Sequence, residues 1–236
     1  LVKTAIILAG GFGTRLRAVI QDVPKPMAPV RGKPFLAYQV HYLQEAGIER
    51  VIFSTGYLSE QIERYFTEHP SPLQFRFSHE ESPLGTGGGI RKAMQLTEDK
   101  DVLVLNGDSF FELALPEFFK FHASHPDCHS LALREVTDVS RYGSVHLNAE
   151  QEIIQFGEKI QEQKAGLINA GVYLLNRADF LRETPVDKAF SIEQDYFQQL
   201  AGSGRLYGKA FSSYFIDIGL PDDYQKAQDD FERFAY

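Results

Sequence analysis

A chain of 236 residues is long enough for one large α/β domain with a substantial core. Its 43% apolar and 24% charged content is that of an ordinary globular protein and argues against a disordered or membrane-embedded chain. The net charge of −8, with no basic block anywhere, argues against polymeric nucleic acid as a partner. Small anions held by a few local cations remain.

Residues 5–9, Ala-Ile-Ile-Leu-Ala, read as a buried strand. The run is too short to cross a membrane or to act as a secretory segment, so no membrane partner is expected. It leads directly into Gly10-Gly11-Phe12-Gly13-Thr14-Arg15-Leu16. Glycines here let the backbone of Leu8, Ala9, Gly10, Gly11 and Gly13 approach a phosphate and aim N–H groups at it. Thr14 adds a hydroxyl, and Arg15 can fork two donors onto neighbouring phosphate oxygens. A Walker A loop needs Gly-Lys-Ser/Thr after its glycines, where this chain has Gly-Thr-Arg. The dinucleotide fingerprint needs a further glycine where Leu16 stands. Pro24-Lys25-Pro26-Met27 follows, a movable point charge between two backbone-restricting prolines.

Further along, 35–46 reads as a helix ended by Gly47, 50–54 as a strand, and 59–66 as a helix with Ser59 as its N-cap. An alternating strand at 73–77 and a helix at 88–95 precede the apolar strand 102–105, which runs into Asn106-Gly107-Asp108. This β-α-β-α rhythm predicts a mixed, mainly parallel sheet covered on both faces, a Rossmann-like three-layer sandwich. Ligands of such sheets sit beyond the carboxyl ends of the strands, which would bring the glycine loop and Asn106-Gly107-Asp108 to one crevice. Strands are expected at 130–135, 143–147, 153–156, 168–174 and 207–211, and helices at 177–181, 192–201 and 222–234. No linker or repeat divides the chain, so it reads as one domain. A nucleotide-binding half covers about 1–110, and a second half builds the acceptor side. The single cysteine, Cys128, allows no intrachain disulfide or cysteine zinc site and fits a reducing, cytoplasmic setting. The seven histidines show no metal spacing.

The series Leu-Ala-Gly-Gly-Phe-Gly-Thr-Arg-Leu, then Pro-Lys-Pro-Met, resembles the signature of the sugar-1-phosphate nucleotidylyltransferases. The resemblance continues through Leu84-Gly85-Thr86-Gly87, Asn106-Gly107-Asp108, Tyr142-Gly143, Glu158-Lys159, Asn169-Ala170-Gly171 and Asp217-Ile218-Gly219. In that family a sugar 1-phosphate attacks the α-phosphorus of a nucleoside triphosphate and pyrophosphate leaves. The attacking oxygen is already ionised, so no acid–base pair is required. The resemblance implies that Arg15 holds the leaving pyrophosphate, that Lys25 contacts the α-phosphate, and that Asp108 and Asp217 bind Mg²⁺. Asp108 counts with Arg15 and Lys25 as catalytic, and Asn106 joins the nucleotide site. Gly143, Glu158, Lys159, Asn169 and Gly171 fall where the family binds its sugar.

Glu80 stands where the family carries its base-reading side chain. Guanine offers N1–H and N2–H₂ side by side, and a carboxylate accepts from both, whereas the carbonyls beside the N3–H of uracil or thymine repel it. Glu80 therefore points to GTP, with Glu81 an equal alternative, and Gly85 and Thr86 approach the base or ribose. The segments from Asp22 to Leu36 and from Phe215 to Tyr224 most resemble those of D-glycero-D-manno-heptose 1-phosphate guanylyltransferases, which supply GDP-heptose for bacterial surface glycans. Alternatives are a mannose-1-phosphate guanylyltransferase, or a thymidylyl-, cytidylyl- or uridylyltransferase for glucose or N-acetylmuramate phosphates. A non-catalytic nucleotide-sugar sensor would carry a damaged signature, yet Arg15, Lys25, Asp108 and Asp217 are all present. Ser191-Ile192-Glu193-Gln194-Asp195 reads as a capped helix start whose acids favour the helix dipole, which leaves Glu193 out of the site. The sequence fixes no oligomeric state.

Overall fold

In the computed structural model, residues 2–11, 20, 22–157 and 164–234 are described. The expectations for Gly13, Thr14, Arg15, Glu158 and Lys159 lie outside these residues. Apolar side chains pointing both ways make β1 (Thr4–Leu8) a strand buried on both faces. Ile6 packs into one core, and Ala5 and Ile7 into the other. A 3-10 turn at Lys25–Met27 and the short ladder of β2 (Pro29–Val30) with β3 (Lys33–Pro34) lead into α1 (Phe35–Glu45). Then come β4 (Arg50–Thr55), α2 (Ser59–Glu68), β5 (Gln74–His79), α3 (Gly85–Met94) and β6 (Asp101–Asn106). β4 and β6 flank β1, and β5 lies outside β4, all parallel, so their carboxyl ends share one edge.

The remaining elements are β7 (Ser109–Phe111), α4 (Leu115–Ala123), β8 (His129–Val136), β9 (Val145–Leu147), β10 (Ile153–Phe156), β11 (Gly166–Asn176) and α5 (Arg177–Glu183). A helix over 192–200 follows, π-wound in Ile192–Phe197 and closing as α6 (Gln198–Leu200). Last are β12 (Leu206–Phe211), β13 (Phe215–Asp217) and α7 (Pro221–Asp230). β11 runs antiparallel to β6 and carries the sheet into the second half, in the order β10-β9-β11-β6-β1-β4-β5, with β8 between β11 and β12. The sheet is mixed, with its first-half strands all parallel, as the alternation of elements predicts.

Helices cover both faces. Leu36, Leu43, Ile62, Phe66 and Phe118 of α1, α2 and α4 meet Ile7, Phe53 and Leu103 on one side. Ile90, Met94, Phe180 and Phe197 meet Ile6, Ile52 and Val104 on the other. Each such fully buried side chain contributes about 1.5–3 kcal/mol. No helix among the described residues is long and apolar enough to cross a membrane.

Three local readings need correction. Ser59 is the first helical residue and caps nothing. The cap position is Leu58, held left-handed at φ 56°, with no side-chain capping bond. α3 begins at Gly85, earlier than its apolar pattern suggests, and Phe190 occupies the space a Cβ on Gly87 would need. Helix α4 and the β7–β13 pair escape the sequence reading altogether.

Candidate active site

A crevice of about 870 Å³ opens at the shared carboxyl edge of β1, β5 and β6, a volume suited to a nucleotide-sized ligand. Leu8, Gly10 and Gly11 line it, while Ala9 is buried and donates its N–H to Ser54 O at 2.8 Å. Gly107 N–H donates to Leu8 O at 2.9 Å, clipping the glycine loop to the Asn106-Gly107-Asp108 turn. The two motifs therefore converge as expected.

The turn is braced from behind by Gln39 of α1, which is 1% exposed. Its Nε2 donates to Asn106 O at 2.8 Å and to Ser109 O at 2.6 Å, gripping both sides of Asp108. β7 and β13 then do what no local pattern announces. Their ladder pairs Ser109 with Asp217, and Ile218 N–H donates to Asp108 O at 3.0 Å, so the two aspartates lie side by side.

Lys25 reaches between them. Its Nζ lies 2.6 Å from Asp108 Oδ2 and 3.6 Å from Asp217 Oδ1. Pro26 beside it is buried, and the Lys25 side chain is 13% exposed, so the ammonium is held rather than free in solvent. Burial, followed by the charge of Asp108, pushes the Asp217 carboxyl above the usual aspartate range; Lys25 and the Gly219 N–H at 2.7 Å pull against that. Two carboxylates thus lie side by side with Lys25 between them. That suits Mg²⁺, which takes one or two carboxylates and fills its other positions with phosphate and water. No group of three or more metal-binding side chains occurs among the described residues.

Glu80, Pro83, Gly85 and Thr86 also line the crevice. Glu80 is pinned at the end of β5. Its N–H donates to Thr55 O at 2.8 Å, Oε1 accepts from Ser54 Oγ at 3.1 Å, and Oε2 accepts from Leu84 N–H at 2.9 Å. A carboxylate has about four acceptor positions, so about two remain. Glu81 lines a separate small cavity of about 240 Å³ with Arg91 and Lys188.

Asn169 and Gly171 hydrogen-bond to each other on β11. Asn169 Oδ1 accepts from Gly171 N–H at 2.9 Å, and its Nδ2 donates to the Tyr173 hydroxyl at 3.0 Å. Gly171, at φ 72°, lies so close to the Asn106 side chain that a Cβ there would come within 2.5 Å of Nδ2. The segment around Gly143 presents Arg141 and Tyr142 to the crevice, and Arg141 also pairs with Asp223. Ser191 caps its helix as expected, accepting from Gln194 N–H. Glu193, however, lines the crevice and bonds to Thr86, Ser191 and Tyr173, so it belongs to the site.

The model of the Nucleotidyl transferase family matches residues 4–233. The chain belongs to the nucleotidyl transferase family. This nucleotidyl transferase is 44% identical over 230 residues to a D-glycero-alpha-D-manno-heptose 1-phosphate guanylyltransferase from Aneurinibacillus thermoaerophilus, spanning 98% of this chain and 99% of that one. It is 40% identical to a protein of the same name from Campylobacter jejuni, over 93% and 96% of the two chains. The crystal structure of HddC from Yersinia pseudotuberculosis complexed with GMP-PN superposes with a TM-score of 0.85 at 37% identity, covering 98% of this chain and 100% of that one.

Sequence reasoning missed Gln39, Arg141 and Glu193 in this nucleotidyl transferase. Gln39 leaves one signal, a polar residue inside the apolar run Phe35-Leu36-Ala37-Tyr38-Gln39-Val40. Arg141 and Glu193 sit on segments whose charges look like ordinary surface until the chain closes around the crevice.

Proposed function

We propose that this enzyme transfers guanylyl from GTP to a sugar 1-phosphate, D-glycero-α-D-manno-heptose 1-phosphate in first place, releasing pyrophosphate and forming a GDP-sugar. The whole chain acts as one nucleotidyltransferase domain, working in the cytoplasm. The observation that carries this reading is Lys25, held between Asp108 and Asp217, in the crevice that Gly10, Gly11 and the acceptor-only Glu80 also line. Near-full-length similarity to two heptose 1-phosphate guanylyltransferases supports the choice of base and sugar.

An ionised oxygen of the sugar phosphate attacks the α-phosphorus. The new P–O bond forms as the bond from the α-phosphorus to the bridging oxygen of the β-phosphate breaks, and pyrophosphate carries the electron pair away. Lys25 supplies charge where the pentavalent centre gathers it, and the glycine loop offers backbone N–H groups to the triphosphate. Arg15 completes the cationic side by holding the leaving pyrophosphate. Asp108 and Asp217 would hold Mg²⁺, which when bound would neutralise charge on the phosphates. Glu80 accepts from N1–H and N2–H₂ of guanine with the acceptor positions its two protein bonds leave unused.

Glu80→Gln tests the base reading. It replaces one acceptor oxygen with an N–H₂ donor, so kcat/KM with GTP should fall at least tenfold while that with UTP or dTTP rises. An unchanged order of nucleotide preference would contradict the assignment of Glu80.

A further inference from the structure

The carboxylates lining the crevice differ in what they already hold. Asp108 and Asp217 share the Lys25 ammonium. Glu80 has one oxygen on Ser54 and the other on the Leu84 backbone. Glu193 is surrounded by hydroxyls. Its Oε2 accepts from Thr86 Oγ1 and Ser191 Oγ, both at 2.9 Å. Among the described residues its Oε1 accepts only from the Tyr173 hydroxyl, at 3.3 Å, longer than a well-formed O–H···O bond.

This arrangement is rigid. Tyr173 is fully buried, and its hydroxyl also receives the Asn169 Nδ2 proton at 3.0 Å. Thr86 Oγ1 accepts from Ile192 N–H at 3.0 Å while it donates to Glu193. The carboxylate thus ties the first turn of α3 to the 192–200 helix and to β11, and its position is set from three sides. Charged acceptors form short, strong bonds, and Oε1 has an acceptor position left over with only one long bond to show for it. A carboxylate with no cation beside it among the described residues repels phosphate. The ligand groups that suit it are O–H donors, as on a polyol.

We propose that Glu193 is a specificity-determining residue whose Oε1 accepts a hydrogen bond from a ring hydroxyl of the sugar 1-phosphate. Thr86, Ser191 and Tyr173 are the positioning groups that hold it there. The proposal rests on the reading that this crevice serves a sugar 1-phosphate acceptor.

The test compares wild type, Glu193→Gln and Glu193→Ala with GTP and a panel of manno-configured sugar 1-phosphates, each lacking one ring hydroxyl. In the wild type one deoxy analogue should lose about ten- to a hundredfold in kcat/KM, the range of a hydrogen bond to a charged acceptor. In Glu193→Ala that loss should shrink below about twofold, because the group the hydroxyl served is gone. Glu193→Gln should raise KM for the sugar 1-phosphate about tenfold and leave KM for GTP within about twofold. Each comparison is a ratio within one variant, so a lower folded fraction cancels. Identical deoxy-sugar penalties in wild type and Glu193→Ala would overturn the proposal. So would a collapse seen with 2′- or 3′-deoxy-GTP instead, which would assign Glu193 to the ribose. Failure of the wild type to release pyrophosphate with any sugar 1-phosphate would overturn the underlying reading as well, which separates the two failures.

Discussion

Replacing Gln39 with methionine keeps the volume of the side chain and removes both hydrogen bonds that grip the Asp108 turn. The carbonyls of Asn106 and Ser109 lose their donor. Each buried acceptor left without a partner costs about 1–3 kcal/mol, so the pair costs about 2–6 kcal/mol. Part of this is returned. Gln39 Oε1 is itself buried with no partner among the described residues, and methionine removes that polar atom, which offsets about 1–3 kcal/mol. The net expected loss is about 2 kcal/mol, a large fraction of a typical stability of about 5–15 kcal/mol but not enough to unfold the chain. The effect on activity should be larger than this implies. Gln39 holds the backbone on both sides of Asp108, and a misplacement of about 1 Å at a reacting centre costs about a hundredfold. Urea titrations give the stability change, and pyrophosphate release well below the unfolding transition gives kcat. Gln39→Met should lose about 2 kcal/mol and at least tenfold in kcat. A variant that loses stability but keeps wild-type kcat would refute the positioning argument and leave Gln39 a packing residue only.

Lys25→Met removes the ammonium that Asp108 and Asp217 share. In EDTA its melting temperature should drop, Mg²⁺ should restore it, and kcat/KM should fall about a hundredfold or more even with metal present. Thermal melts with and without Mg²⁺ that coincide would count against the shared cation. Asp217 is raised by burial and by Asp108, so its proton binds more tightly in the folded, metal-free protein. Apparent Mg²⁺ affinity should therefore weaken, as pH falls, at a higher pH than an ordinary aspartate would cause, and Asp108→Asn should shift that loss to lower pH. Calorimetric Mg²⁺ titrations across that range check both. His129 is buried and held neutral, with Nδ1 accepting from Asn176 N–H and Nε2 bonded to the Tyr196 hydroxyl, and burial pushes its pKa down to about 4. Its folded value lies below the unfolded value of about 6.5, so the stability it contributes is complete above about pH 6.5 and is lost as pH falls through about 4, by about 3 kcal/mol at most. Urea midpoints at pH 7 and pH 4.5 should diverge less in His129→Gln, which cannot take up that charge.

The parallel heart of the fold was legible because its strands are buried on both faces and leave unbroken apolar runs. That Gly10, Gly11 and Lys25 share one crevice was legible because glycines directly after a buried strand and a proline-braced lysine fall at the same sheet edge. What was not legible shares one cause. β7 and β13 are three residues each, too short for any periodicity to register, yet their register puts Asp217 beside Ser109 and so beside Asp108. Helix α4 carries Phe118, Phe119 and Phe121 close together, a composition that favours strand as much as helix, and the packing of Phe118 into the core decides in favour of helix. Glu193 satisfies the rule for a helix start and also faces the crevice. A local explanation that is correct, the Ser191 cap, hid the tertiary one. The bonds of the Asn169 side chain to Gly171 and Tyr173 join residues distant from the crevice motifs in sequence pattern, and no local signal announces them.

The most direct test of the central claim is a grid of nucleoside triphosphates against sugar 1-phosphates, with Mg²⁺ and a pyrophosphate readout, and with the product identified by mass. GTP with D-glycero-α-D-manno-heptose 1-phosphate should give the highest kcat/KM, pyrophosphate and GDP-heptose in equal amounts, and a clear preference over UTP and dTTP. Faster turnover with UTP or dTTP, or no pyrophosphate from any pair, would contradict the account.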